Sequence, residues 1–196
     1  MENKLNIRDF IFIGIFGAIA LLIFFVVGGI ASLTVFGTIA NIPITLFFIS
    51  IVFILLILKV KKPYVFFIMG TIIVLPGFMA ANIIGVFLSI IGWAFAELIA
   101  IKMQYKNKKA IILPYVVGSI LESALFTLPI YISHGEYLVQ RKEMLHLTDE
   151  ALKQYLQFFS WQVYGAVVIL TIITSLLGAL ISFKILKKHF EKAGVI

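Results

Sequence analysis

Three features of the sequence predict an all-α integral membrane protein, a single bundle of six transmembrane helices with both termini in the cytoplasm. Hydrophobic residues make up 62% of the 196 residues and charged residues only 13%, a balance outside that of soluble domains. The apolar residues fall in long runs separated by short charged or turn-forming stretches. All but three of the 16 lysines and arginines lie at alternate junctions between those runs. A net charge of +7 in a soluble chain would point to nucleic acid. Here the charges sit between apolar segments, so they report membrane topology and no nucleic-acid partner is expected. Cysteine is absent, which excludes disulfides, thiol chemistry and cysteine-bound metal.

Helix one is expected over about Phe10–Ile30. It follows the N-terminus without a small-residue cleavage site, so no removable signal peptide is expected. Helix two covers about Phe36–Leu58. The run Tyr64–Ile101 is too long for one span, and Pro76-Gly77 is a turn signal inside it. It divides into helix three, about Tyr64–Met79, and helix four, about Asn82–Ile101. Helix five is expected over Ala110–Ile132 and helix six over Ser160–Ile185. Short apolar helices of this kind need protein around them, so residues 1–196 form one membrane domain. Lys4 and Arg8, then Lys59, Lys61 and Lys62, then Lys102, Lys106, Lys108 and Lys109, and finally Lys184, Lys187, Lys188 and Lys192 all fall on one side. The other side has Arg141, Lys142 and Lys153. The positive-inside rule makes the first side cytoplasmic.

The long segment Ser133–Phe159 then faces outward. Tyr137, Leu138, Arg141, Met144 and Leu145 have helical spacing, as do Leu152, Tyr155, Leu156 and Phe159, and Thr148 before Asp149-Glu150 suits an N-cap. Two short amphipathic helices are expected, either lying on lipid headgroups or closing over an outward cavity as a lid.

Small and polar residues form stripes inside the spans: Gly14, Ala18, Leu21, Phe25 and Gly28 on helix one; Asn82, Gly85, Ser89, Trp93, Ala96 and Ala100 on helix four; Tyr164, Thr171, Ser175, Gly178 and Ser182 on helix six. Such stripes allow close helix approach, within the bundle or against another protein. Glu97, near the cytoplasmic end of helix four, reads as a structural residue or as part of a cytoplasmic coupling surface. Glu122 lies near the middle of helix five. A carboxylate there costs at least about 2.5 kcal/mol of insertion free energy, so it should face protein, water or a ligand rather than lipid. Two roles fit: a structural hydrogen bond to a neighbouring helix, or a hook in a binding cavity.

The chemistry of an enzyme is missing. The sequence has no Gly-x-x-x-x-Gly-Lys-Ser/Thr and no His-Glu-x-x-His. His134, His146 and His189 all lie outside the spans, and Glu97 and Glu122 lie at different depths, so neither a metal site nor an acid–base pair is expected. No cofactor is expected either. A binding protein or transporter fits better, because it requires a cavity, aromatic walls and a few polar hooks.

Four stretches together resemble the substrate-binding S components of energy-coupling factor (ECF) transporters, of the Trep-Strep or MptD-like type. They are Leu5-Asn6-Ile7-Arg8-Asp9-Phe10 running on to Gly14-Ile15-Phe16-Gly17-Ala18; Lys59-Val60-Lys61-Lys62-Pro63 with Phe67-Ile68-Met69-Gly70; Ala96-Glu97-Leu98-Ile99-Ala100; and the tail Leu186-Lys187-Lys188-His189-Phe190-Glu191-Lys192-Ala193-Gly194. The similarity covers nearly the whole chain. It implies a six-helix subunit that captures a water-soluble vitamin or related micronutrient from outside. Transport would then need a transmembrane coupling subunit and two cytoplasmic ATPases, in keeping with the missing P-loop. Many S components dock through Ala-x-x-x-Ala in helix one; here the matching place is Gly14-x-x-x-Ala18, which keeps the small-residue logic. The alternative is a stand-alone six-helix carrier or channel for a small polar solute. The candidate ligand site draws on Asn82, Ser89 and Trp93 of helix four, Trp161, Gln162 and Tyr164 of helix six, and Glu122, Phe126 and Tyr131 of helix five, with Asn41 completing the rim. Aromatic plates, amides and one carboxylate suit a flat, polar heteroaromatic molecule.

Overall fold

The computed structural model describes residues 4–145 and 147–186, and no strand occurs among them. His146, Lys187, Lys188, His189 and Lys192, with the rest of the tail after Leu186, lie outside the described residues.

Helix α1 (Ile7–Ala31) starts earlier than the apolar run because polar residues close its end. Asn6 Oδ1 accepts from Asp9 N at 3.0 Å and Asp9 Oδ2 accepts from Asn6 N at 2.9 Å, a reciprocal capping box. Lys62 Nζ reaches the same Asp9 oxygen at 2.6 Å and ties this end to the next turn of the bundle. The expected helix two is in two pieces, α2 (Val35–Ile39) and α3 (Asn41–Val60). Ala40 leaves helical geometry between them, and Pro43, which has no N–H to give, sits in the first turn of α3. The turn after α3 uses Lys61 and Tyr64 in left-handed conformations. α4 (Val65–Val74) is shorter than expected, because Pro76 converts its end to a 3-10 turn, Leu75–Phe78. Ala81, at φ 52°, turns the chain, and Asn82 Oδ1 caps Gly85 N at 3.1 Å to start α5 (Ile83–Lys102). α6 (Lys109–Ile132) and α9 (Trp161–Leu186) match helices five and six. Of the two amphipathic helices expected between them, α7 (Glu136–Val139) is a single turn, and α8 (Asp149–Leu156) begins at Thr148, whose Oγ1 accepts from Ala151 N.

α1, α3, α5, α6 and α9 are each long and apolar enough to cross a membrane, and Val65–Phe78 is a shorter apolar helix. α3 is central, with Phe53, Ile54, Leu56 and Ile57 fully buried. The Phe53 ring stacks on Trp93 at 5.0 Å between centroids, with Phe66 at 5.5 Å and Tyr115 at 5.1 Å. This aromatic core joins α3, α4, α5 and α6. Lipid is as apolar as the side chains, so close packing and buried hydrogen bonds hold such helices together. Both appear here. The Trp93 indole lies between Gly70 of α4 and Gly118 of α6, where a Cβ on either would overlap the ring. Ser50 of α3 meets Ser182 of α9 at 2.9 Å, and Thr171 of α9 donates to or accepts from Ser123 of α6 at 2.9 Å.

The stripes on helices four and six are therefore internal packing faces: Asn82, Gly85, Ser89, Trp93, Ala96, Ala100, Thr171, Ser175, Gly178 and Ser182 are all buried. On α1 only Gly28 of its stripe is buried, while Gly14 and Ala18 are exposed. Glu97 is buried and structural. Its carboxylate accepts from Tyr105 Oη at 2.5 Å and from Phe67 N at 3.2 Å, so it pins the start of α4 to the α5–α6 turn. Burial first, and then the Glu97 carboxylate, raise the Tyr105 phenol well above its ordinary pKa, which keeps it a donor.

Candidate functional site: a blind cavity under the 133–159 segment

At one end of the bundle the helices do not meet. α1 ends there, α3 and α5 begin there, and α4 and α6 end there. The space between them is a cavity of about 560 Å³, within the range of small-molecule sites. Its walls are largely apolar: Phe24 and Phe25 of α1, Ile42 of α3, Ile73 and Val74 of α4, Phe126 and Ile130 of α6. Tyr137, Leu138, Arg141, Leu145, Leu147, Tyr155 and Phe159, from the segment between α6 and α9, complete its lining and roof it. Toward the other end the lining reaches no further than Glu122, and beyond it Trp93, Phe53, Phe66 and Tyr115 are fully buried against one another. The cavity is therefore blind.

Glu122 is at the boundary between the two halves. Oε2 accepts from Trp93 Nε1 at 2.7 Å on the packed side, while the residue also lines the cavity. Its other oxygen has no hydrogen bond among the described residues. At the rim, Asn41 Nδ2 donates to Gly28 O at 2.9 Å and Ser32 Oγ at 3.0 Å, which fixes the end of α1 to the start of α3. Asn82 Nδ2 donates to Phe126 O at 2.7 Å while its Oδ1 caps α5.

The roof has two fastenings. Arg141 Nε donates to Ala81 O at 2.7 Å, in the turn before α5, and its Nη1 donates to Tyr137 O at 2.8 Å. The guanidinium lies 3.4 Å above the Tyr137 ring centroid. On the opposite rim Tyr155 Oη and Thr38 Oγ1 are 3.2 Å apart, linking α8 to α2. Tyr137 Oη is buried and has no partner among the described residues. Lys142 and Asp149 form an ion pair within the segment, outside the cavity lining.

Of the ten ligand-site residues expected from sequence, Asn41, Asn82, Glu122, Phe126 and Tyr131 line the cavity, and the other five do not. Ser89 is fully buried and bonds back to Gly85 O at 2.8 Å, so its hydroxyl is spent on its own helix. Trp93 reaches the cavity only through Glu122. Trp161 and Gln162 are exposed on the far flank of α9. Tyr164 donates to Ala124 O at 3.1 Å and packs on Tyr131 with ring centroids 5.0 Å apart. Trp161 and Tyr164 thus form an aromatic buttress behind Tyr131. The start of α9 therefore stands one layer behind the lining, and a helical stripe alone does not say which neighbour it faces. Sequence reasoning missed Arg141 and Tyr137 as cavity residues. The signal was present: they lie four apart on a helical pattern, the spacing at which a cation meets a ring.

Among the described residues no group of three His, Asp or Glu side chains could hold a metal ion. The family model described as "Hypothetical bacterial integral membrane protein (Trep_Strep)" matches residues 7–192. The chain belongs to that family. No curated protein and no solved structure matches it. Family membership agrees with the apolar helices of the fold and places the protein in a bacterial membrane as a multi-pass protein.

Proposed function

We propose that the chain is the substrate-binding subunit of an ATP-driven importer of the energy-coupling factor type. It captures a small, vitamin-like solute from outside and delivers it with a transmembrane coupling subunit and two cytoplasmic ATPases. The observation that carries this reading is the blind cavity: a channel needs a through-path, whereas a capture subunit needs a closed pocket at one face. In this reading the helix Val65–Phe78 is the sixth crossing, short because its 3-10 end forms part of the cavity wall. Both termini are cytoplasmic by the distribution of lysine and arginine, so the cavity opens outward and the segment 133–159 is its lid. The chain itself is not an enzyme, and ATP hydrolysis belongs to the partners.

The docking surface in this reading is the exposed face of α1. Ile11, Ile15, Ile19 and Leu22 are exposed around Gly14 and Ala18, and a Cβ built on Gly14 meets no atom within 4 Å. Such a face allows a partner helix to approach closely. The test is affinity purification of the chain from its native membranes. Copurification of a membrane subunit and ATPases is the expected result. A chain that purifies alone and drives solute uptake into liposomes without ATP would overturn the proposal in favour of a stand-alone carrier.

A further inference from the structure

The geometry points to an amphoteric ring compound as the cavity's ligand, held with its basic end on Glu122 and its acidic end under Arg141 and Tyr137. This assignment rests on the reading of the cavity as a capture site. Among the described residues that line it, the carboxyl of Glu122 at the floor and the guanidinium of Arg141 in the roof face each other across the cavity as acid and base. Glu122 keeps one carboxylate oxygen without a partner on the cavity side. Arg141 spends donors on Ala81 O and Tyr137 O, which hold the guanidinium in place, and retains N–H donors from its remaining set. Beside it the buried Tyr137 hydroxyl has no partner, although a buried hydroxyl normally has one. A donor-poor floor and a donor-rich roof are thus separated by walls of Phe24, Phe126 and Ile73.

Charge balance narrows the ligand class. A ligand with both an amine and a carboxylate gives each of these two groups its complement, whereas a ligand with only one of them leaves the other group without a partner in an apolar cavity. The walls supply ring-sized apolar contact and, among the described residues, no further charge. Glu122 lies about ten residues below the end of α6, about 15 Å along its axis, so with both side chains reaching inward the ligand is on the order of 10 Å long. Because Arg141 belongs to the roof, the ligand's acidic end also joins the roof to the floor, so occupancy and closure are one event.

The test uses the full chain in lipid nanodiscs and two probes of different length, para-(aminomethyl)benzoate and its biphenyl homologue. Each is compared with the analogue that has only the amine and the analogue that has only the carboxylate, by saturation-transfer NMR and calorimetry. At least one amphoteric probe is expected to bind about tenfold tighter than both of its single-charge analogues, the scale of one charge-assisted hydrogen bond. Glu122→Gln should remove the advantage conferred by the amine and leave that of the carboxylate; Arg141→Gln should do the reverse. Arg141→Lys keeps a cation in the roof and should retain part of the carboxylate effect, which separates loss of charge from collapse of the lid. Equal binding of all analogues, binding of a single-charge analogue alone, or no binding by any probe overturns the assignment. If the chain still copurifies with ATPases in those cases, the import reading stands without this ligand class. If an amphoteric probe binds and no ATPase copurifies, the ligand class stands without the importer.

Discussion

The Trp93 indole is held between two glycines on different helices, and this makes the packed half of the bundle testable without any ligand. A Cβ added at Gly118 would overlap Cζ3 and Cε3 of the indole, and one added at Gly70 would overlap Cγ and Cδ2. The ring has no room to retreat. It is fully buried, stacked on Phe53 at 5.0 Å, and fastened to Glu122 at 2.7 Å. Overpacking of this kind costs about 1–3 kcal/mol. If the indole shifts far enough to lose Glu122, its buried N–H is left without a partner, at about 1–3 kcal/mol. Higher helix propensity returns up to about 1 kcal/mol. With the Glu122 bond lost and the full propensity gain counted, Gly118→Ala should therefore destabilise by about 1–5 kcal/mol. Gly14→Ala, which meets no atom within 4 Å, should be neutral or slightly stabilising by up to about 1 kcal/mol. Thermal unfolding in detergent, at about 2–4 °C per kcal/mol for a chain of this length, resolves the difference. The cycle with Trp93→Phe is sharper. Phenylalanine lacks the outer benzo atoms that meet Gly118 but keeps the Cβ and Cγ that meet Gly70. Trp93→Phe should therefore suppress most of the cost of Gly118→Ala and little of the cost of Gly70→Ala. Equal melting of Gly118→Ala and Gly14→Ala, or equal rescue of both core variants, would refute the steric argument.

Three further outcomes are expected. Gly14→Trp and Ala18→Trp should leave thermal stability and the binding of small molecules by the isolated chain nearly unchanged while abolishing copurification with ATPases and transport, because both residues lie on the exposed face of α1; normal assembly of both variants would remove that face as the docking surface. Tyr105→Phe takes one of two hydrogen bonds from the buried Glu97 and should cost about 1–3 kcal/mol in thermal unfolding, with an unchanged melting temperature counting against Glu97 as the clamp on α4. Tyr155→Phe breaks the link between α8 and Thr38 and should speed hydrogen exchange across residues 149–156 while leaving α3 and α6 protected; exchange equal to that of the unaltered chain would mean that the roof is held elsewhere.

The long helices were legible in the sequence because hydrophobic length is the strongest signal a membrane chain gives. α5, α6 and α9 fall within one or two residues of the expected bounds. The departures come from local polar chemistry that hydropathy averages away. Asn6 and Asp9 extend α1 below its apolar run, Pro43 and Ala40 separate α2 from α3, and Pro76 shortens α4. The 133–159 segment was legible as two short helices, with lipid cover and lid left as equal readings, since its apolar spacing is the same whether it faces lipid or a cavity. Its place in the cavity lining and the bonds from Arg141 to Ala81 O and from Tyr155 to Thr38, across 60 and 117 residues, show which it faces.

The site was half legible for a related reason. A polar residue in an apolar span announces that it has a partner, but not whether that partner is protein or ligand. Ser89 and Asn82 read alike from sequence, yet one bonds its own helix and the other bonds Phe126 O at the cavity rim. Glu122 is placed for both of the roles read from the sequence, a structural bond and a position on a cavity. Its two oxygens are separate groups. Oε2 completes the Trp93 indole on the packed side, and the opposite side of the carboxyl forms part of the cavity floor. In the proposed binding role the bond to Trp93 would give the hook its precision, because a flexible carboxyl loses side-chain entropy on each binding event, and one already held by Trp93 loses little. Glutamine at this position keeps an amide oxygen for Trp93 and removes only the charge, whereas leucine removes both. The structural role is therefore measured by the difference in stability between those two variants, and the binding role by the difference in affinity between glutamine and glutamate.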